Sequence, residues 1–300
     1  MTLRKAVIPA AGYGTRMLPA SRAIRKEFFP IVDTDGLVKP AIQLIVEEAV
    51  ASGIEEICLV VAPGGEEAFR SYFSPAPEGL RIALRNKPEQ LLLLDRLAEL
   101  GQRLTFVTQT VQEGYGDAIR RAGAWANGEP VLTLLGDHVY LSRESRRCAR
   151  QLIDAFERLD GPVSGVIRKP PSELKLFGTI QGDQTGDDAR LYRVRAIVEK
   201  PEIDYARTHL QLTELPVDTF LCFFGLHALT PDVFATLDEM KARGLKDGGE
   251  LQLTGAQALL ASRRPYYALE IEGEPYDIGV PDGYARTVAA FGTMQGRTKG

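Results

Sequence analysis

The fold is decided by Ala6-Val7-Ile8-Pro9 running into Ala10-Ala11-Gly12-Tyr13-Gly14-Thr15-Arg16-Met17-Leu18-Pro19, with Lys26-Glu27-Phe28-Phe29-Pro30 close behind. A short apolar strand delivers the chain into a glycine-rich turn, where missing Cβ atoms let backbone N–H groups approach phosphate oxygens. The spacing is not that of a P-loop, which requires GxxxxGK[ST]. It is not GxGxxG either, because Met17 stands three residues past Gly14. Arg16 offers a planar fork to phosphoryl oxygens, and Lys26 a flexible point charge. Residues 1–30 hold Arg4, Lys5, Arg16, Arg22, Arg25 and Lys26 against Glu27 alone, a local charge of +5 in a chain of net −4. A cationic segment on an anionic body fits a small, highly charged anion, although such a run can also be a solvated face.

Outward from this stretch, apolar runs alternate between strand-like and helix-like segments. Ile57–Ala62, Leu104–Val107 and Val131–Leu135 read as buried strands of the kind covered on both faces. Helices are expected over Pro40–Ser52 and Asp117–Ala126. This alternation predicts an α/β fold with a mixed, mostly parallel central sheet flanked by helices. Beyond about residue 160 strands are expected at Val163–Ile167, Phe177–Gln181, Arg193–Val198, Phe220–Leu226 and Tyr267–Ile271, with helices at Pro231–Lys241 and Glu250–Ala261. Pro170-Pro171 and Gly182–Asp188 mark turns or a hairpin tip. With no repeat and no linker, the expectation is a single domain over 1–300, built as one α/β body with an inserted β-rich lobe and a frayed tail near its end.

The composition is that of a globular protein, with 44% hydrophobic and 25% charged residues among 300. Its acidic balance argues against nucleic acid or an anionic membrane as partner. The longest apolar run, Phe220–Leu226, is far too short to span a bilayer. Neither a signal-peptide core nor a disulfide framework is present, since Cys58, Cys148 and Cys222 lie far apart and Cys58 and Cys222 read as small core residues. A cytoplasmic location is the expectation.

Seven blocks in order make the chain resemble the sugar-phosphate nucleotidylyltransferases, and within them the bacterial UTP–glucose-1-phosphate uridylyltransferases. They are Pro9–Asp33; Gln109 with Glu113-Gly114-Tyr115-Gly116-Asp117-Ala118; Leu135-Gly136-Asp137; Phe177-Gly178; Val198-Glu199-Lys200-Pro201; Glu250-Leu251-Gln252-Leu253-Thr254; and Tyr276-Asp277-Ile278-Gly279. The resemblance implies a Rossmann-like fold of the nucleotide-diphospho-sugar transferase type, with a nucleotide-binding half over about 1–160, a sugar-binding half with C-terminal helices over about 161–292, and a tail at 293–300. It implies that Ala10, Ala11 and Gly12 hold the base and ribose, with Gln109 and Gly114 on the base edge. Gly14, Thr15 and Arg16 would wrap the triphosphate and Lys26 would reach the phosphate under attack. Asp137 and Asp277 would hold Mg²⁺, Gly178 and Glu199 would bind sugar hydroxyls, and Lys200 the sugar's phosphate. The implied reaction transfers UMP from UTP to a hexose-1-phosphate, with glucose-1-phosphate first among candidates, in a homodimer or homotetramer.

The bare residues agree in part. An aspartate just past an apolar strand, as Asp137 is, stands at the carboxyl edge of a sheet, where α/β folds place ligands. Carboxylates suit Mg²⁺. His138, His209 and His227 form no nucleophilic arrangement with a Ser or Cys and read as structural or surface residues.

The sequence departs from the family pattern at Arg25, where a Pro is usual, at Asp117 in place of a His, at Phe220, at Leu226-His227 and at Gly255. Arg25 is expected to loosen its turn, and an apolar Phe220 facing the sugar would favour a deoxy or modified hexose. Two alternatives stay open: the same chemistry with dTTP or a modified hexose-1-phosphate, and a silent nucleotide-binding homologue. An NAD-type dehydrogenase is disfavoured by the missing fingerprint.

Overall fold

The computed structural model describes residues 1–159 and 161–294; of the expected tail at 293–300, Thr293 ends the helix Pro281–Thr293 and 295–300 lie outside the described residues. Thirteen strands follow in order: β1 Lys5–Ala10, β2 Pro30–Val32, β3 Val38–Pro40, β4 Glu56–Val61, β5 Leu104–Thr108, β6 Val131–Leu134, β7 His138–Ser142, β8 Val163–Lys169, β9 Gly178–Gln184, β10 Leu191–Glu199, β11 Phe220–Leu229, β12 Tyr267–Glu270 and β13 Gly273–Asp277. Nine of them form one sheet in the order β5-β4-β1-β6-β11-β8-β12-β10-β9. The first four are mutually parallel. Strand β11 then runs antiparallel to β6 and β8. It also touches β9 through Leu221 and Cys222, so the strands of the second half close on themselves.

Strand alternation explains how both faces are covered. Ala6, Ile8 and Ala10 of β1 and Ile57, Leu59 and Val61 of β4 enter one apolar cluster. Val7, Cys58 and Val60, one residue out of step, enter the cluster on the opposite face. The first cluster is closed by helices Ala41–Ala51, Cys148–Arg158 and Pro281–Thr293, the second by Tyr115–Arg121, Asp232–Ala242 and Leu253–Arg263. All three cysteines are buried in these layers or beside them.

The expected strands and helices occur, with ends shifted by a few residues, and the α/β expectation holds, but the nine-stranded sheet is not mostly parallel. Beyond the first four strands only β8–β12 pairs parallel, the β9–β10, β10–β12 and β11 pairings being antiparallel. Gly182–Asp188 is the tip of the β9–β10 hairpin. The helix expected over Asp117–Ala126 begins earlier and is split, Tyr115–Arg121 and then Gly123–Ala126. Two small antiparallel pairs have no local signature in the sequence: β2 with β3, and β7 with β13.

Parallel pairing puts the carboxyl ends of β1, β4, β5 and β6 on one edge. Their continuations are the glycine-rich loop, Ala62 onward, Gln109 onward and Gly136-Asp137. Gly136 is dictated by crowding there, because a Cβ would lie 2.1 Å from the Pro9 carbonyl oxygen. The β7–β13 pair sets Asp277 opposite His138, and the Ile278 N–H donates to the Asp137 carbonyl at 2.9 Å. Two aspartates far apart in sequence are thereby fixed side by side.

Candidate active site

The glycine-rich loop turns at Gly14, whose φ of 65° lies in the left-handed region, and continues as a single 3₁₀ turn, Thr15–Met17. Its side chain Arg16 is exposed and takes no carboxylate partner among the described residues. A second 3₁₀ turn, Lys26–Phe28, aims Lys26 back beneath the loop, where its aliphatic stem lies against Gly14. Lys26 Nζ donates to Asp137 Oδ2 at 2.6 Å, with only 13% and 17% of the two side chains exposed.

His138 Nδ1–H donates to Asp137 Oδ1 at 3.0 Å. The Gly279 N–H donates to Asp277 Oδ1 at 2.6 Å. A Cβ on Gly279 would fall 2.7 Å from Asp137 Oδ2, 2.9 Å from Asp277 Oδ1 and 3.4 Å from Arg16 Nη2, so these three groups converge on one point. Burial pushes the Asp137 carboxyl up, but His138 and Lys26 overcome it and hold the group well below the usual carboxylate range. His138 is shifted upward, its burial outweighed by Asp137 and, more weakly, Asp277.

The ligand-capable atoms of Asp137, His138 and Asp277 all lie within 4.8 Å of one another. Two carboxylates with free acceptor positions beside exposed Arg16 fit a hard divalent cation that shares its coordination with phosphates. The cation fits this donor set.

Gly178, Glu199 and Lys200 form a second group at the paired ends of β9 and β10. A Cβ on Gly178 would meet Phe223 at 2.7 Å and Glu199 Oε2 at 3.1 Å, so the backbone there is left bare by packing. Thr254 Oγ1 donates to Glu199 Oε2 at 2.7 Å. Lys200, at φ 43°, holds its half-exposed ammonium 3.6 Å from Glu199 Oε1. No hydrogen bond or ion pair among the described residues joins this group directly to Asp137 and Arg16.

Gln109 leaves the end of β5 with its N–H donating to the Val61 carbonyl at 2.8 Å, and its Nε2 donates to the Gly114 carbonyl at 3.2 Å. Gln112 Nε2 reaches the Ala11 carbonyl at 3.4 Å and fastens this segment to the glycine-rich loop. The Gly116 N–H donates to the Leu251 carbonyl, and the Leu251 N–H to the Glu113 carbonyl, which ties it to the stretch leading to Thr254.

Several departures from the family pattern read differently in three dimensions. Arg25 does not loosen its turn. Its Nη2 donates to the Ala10 carbonyl at 2.6 Å while the guanidinium lies 5.5 Å from the Phe69 ring centroid, so it clamps the end of β1. Phe220 does not face a sugar; it is fully buried with Leu174, Ala206, Leu210 and Cys222. His227 is buried in a polar network with Ser164, Gln257 and Tyr266. Gly255 leaves room for Met240, whose methyl would lie 2.7 Å from an added Cβ. His138, by contrast, is not merely structural, since it orients Asp137. Its adjacency to that aspartate was the available signal. Thr254 belongs to a block that marks the family, but only the fold shows that it holds Glu199.

An α/β sheet whose carboxyl edge carries a glycine-rich loop, two cations and two converging carboxylates has the make-up of a phosphate-handling enzyme of the nucleotide-binding α/β class. A family profile described as nucleotidyl transferase matches residues 5–292, and the chain belongs to that family. It is 38% identical over 288 residues, 95% of this chain and 89% of the relative, to a UTP–glucose-1-phosphate uridylyltransferase of Streptococcus pneumoniae. It is 35% identical to one of Staphylococcus epidermidis, covering 96% of this chain and 92% of that one. Among solved structures it resembles a UDP-glucose pyrophosphorylase complexed with UDP-glucose, with a TM-score of 0.79 at 27% identity over 98% and 100% of the two chains. A UTP-bound enzyme of the same name from Acinetobacter baumannii matches with a TM-score of 0.78 at 26% identity, over 99% and 95%. No helix of the described residues is long and apolar enough to cross a membrane.

Proposed function

We propose that the protein transfers UMP from UTP to glucose-1-phosphate, giving UDP-glucose and pyrophosphate. The observation that carries the reading is the convergence of Arg16, Lys26, Asp137 and Asp277 at the carboxyl edge of the sheet. The curated relatives carry this activity in their names. The obstacle to the reaction is electrostatic, because a sugar-phosphate dianion must approach a triphosphate of about four negative charges.

The protein's task is positioning and charge neutralisation. Gly14 and Thr15 present backbone N–H groups to the triphosphate, and Arg16 spans its oxygens. Lys26 exchanges Asp137 for the phosphate under attack. Ala10, Ala11, Gly12, Gln109 and Gly114 hold the nucleoside. Gly178 and Glu199 take sugar hydroxyls, with Glu199 oriented by Thr254, and Lys200 takes the sugar phosphate. The sugar-phosphate oxygen bonds to the α-phosphorus as the bond to pyrophosphate breaks, with no protein nucleophile. Asp137 and Asp277 would hold Mg²⁺, which neutralises phosphate charge when bound. Residues 1–160 thus serve as the nucleotide half and 161–292 as the sugar half of one domain. The family resemblance supports a cytoplasmic homodimer or homotetramer without nucleic-acid or membrane partners, which light scattering of the purified protein checks.

A panel of UTP and dTTP against glucose-1-phosphate and deoxy or modified hexose-1-phosphates, read by pyrophosphate release, tests the substrate pair. The burial of Phe220 away from the sugar group removes the reason to favour a deoxy sugar, so glucose-1-phosphate is expected to lead.

A further inference from the structure

Asp117 opens the helix that follows Gly114 and is completely buried, yet it is a carboxylate. Its Oδ1 accepts from Arg120 and from Lys241 Nζ at 3.1 Å, and its Oδ2 accepts from Arg121 Nε at 2.8 Å. Surrounded by three cations, it is ionised and can only accept hydrogen bonds. Burial pushes its carboxyl up, but Arg121, Gln109, Lys241 and Arg120 together hold it well below the usual carboxylate range.

The fourth donor to Asp117 is Gln109 Nε2, at 3.1 Å. The same Nε2 also donates to the Gly114 carbonyl. Both partners are acceptors only, so chemistry allows a single orientation of the Gln109 amide. The NH₂ must face Asp117 and Gly114, and Oε1 must face away from them. Among the described residues Gln109 Oε1 takes no hydrogen bond and is not sealed from solvent, although the residue as a whole is buried. A fixed, unpaired acceptor is therefore presented on the segment that is fastened to the glycine-rich loop.

We infer that Asp117 is a positioning residue for base selection: it locks the Gln109 amide so that Oε1 meets a pyrimidine carrying a proton on N3. This rests on the proposed nucleotide role of Gln109. Uracil and thymine donate from N3, whereas cytosine presents a bare N3 acceptor of the same size, which would leave two acceptors facing each other. The device therefore rejects CTP and does not separate UTP from dTTP.

Calorimetric titration of the full chain with UTP and with CTP tests it. The wild-type protein is expected to bind UTP at least ~10²-fold more tightly than CTP. In Asp117→Asn, Arg120 and Lys241 claim the side-chain oxygen at the Oδ1 position, the NH₂ falls at the Oδ2 position against Gln109, and only the Gly114 carbonyl is left to oppose reversal of the Gln109 amide. The UTP preference should fall at least ~10-fold, with CTP bound more tightly than by the wild type, a gain that general damage to the fold cannot produce. Asp117→Ala, which leaves the Gly114 carbonyl as the sole acceptor orienting the amide, should also lower the ratio. In a Gln109→Ala background, Asp117→Asn should change the ratio no further. The inference is overturned if both variants at 117 keep the wild-type ratio, or if Asp117→Asn acts equally without Gln109. It is also overturned if Gln109→Ala alone keeps the wild-type ratio, whatever the variants at 117 do. UTP binding without turnover on any sugar phosphate would sink the transferase reading while leaving this one standing.

Discussion

Replacing Gly279 with alanine places a methyl group at the meeting point of the site. The new Cβ would lie 2.7 Å from Asp137 Oδ2 and 2.9 Å from Asp277 Oδ1, inside the 3.4 Å at which contact becomes ordinary by 0.7 Å and 0.5 Å. The backbone has no objection, because the φ of Gly279 lies outside the left-handed region, and its N–H can still bond Asp277. The carboxylates must therefore give way, by about half an ångström each. Magnesium demands near-octahedral oxygens at about 2.0–2.1 Å, which leaves little tolerance for such a shift. Displacements approaching 1 Å at reacting groups cost about 10²-fold, so Gly279→Ala should lower kcat about 30- to 100-fold, or about 2–3 kcal/mol of transition-state stabilisation. Half-saturation by Mg²⁺ should move to higher concentration in the same experiment. Thermal melting should move by only a few degrees, since the clashing atoms are the ends of partly exposed side chains. The assay is initial pyrophosphate release over a Mg²⁺ series, with circular dichroism to verify folding. Wild-type kcat and wild-type Mg²⁺ dependence in the folded variant would refute the placement of Asp137 and Asp277 at the reacting phosphates.

Other expectations follow from the same geometry. Lys26→Ala should cut turnover by about 10²–10³ with the fold intact, since it removes a cation from the developing charge; unchanged steady-state kinetics would count against it. Asp137→Ala should abolish Mg²⁺-dependent activity, measured by metal titration. Thr254→Val leaves Glu199 without its donor and should raise KM for the sugar phosphate several-fold while leaving KM for UTP alone. His227 supplies a pH test of stability. Burial pushes it down to about 3, and Gln257 donating to its Nδ1 agrees with a neutral ring. Below about pH 6.5 the unfolded chain gains a proton that the folded chain refuses, so stability falls with pH by about 1.4 kcal/mol per unit until about pH 3. Urea unfolding at pH 6.5 and 5 should show a steeper acid loss for the wild type than for His227→Gln, and equal slopes would contradict the buried neutral state.

The sequence disclosed what is local. The Ala6–Pro9 strand, the glycine turn and the continuous apolar strands Ile57–Ala62 and Val131–Leu135 announce themselves because burial on both faces requires apolar residues at both parities. The helices Pro88–Gly101 and Cys148–Arg158 were not read from it. The first has no buried residue to impose a period, and the second has a clear apolar face that lay between the motifs. Long-range pairing was invisible. Nothing around His138 or Asp277 indicates that they sit opposite one another, yet that register builds the carboxylate pair. Family resemblance nominated both aspartates without giving the mechanism that joins them. Residues that depart from the pattern were the least legible, because the meaning of Arg25, Asp117 and Phe220 depends on the carbonyl, amide or apolar cluster that each one meets.

Phosphorus NMR of the purified protein with UTP and glucose-1-phosphate tests the whole account most directly. UDP-glucose and pyrophosphate should appear in equal amounts with Mg²⁺ present and not appear when the metal is chelated. Unchanged spectra with Mg²⁺ present, or UTP cleavage with no nucleotide sugar formed, would contradict it.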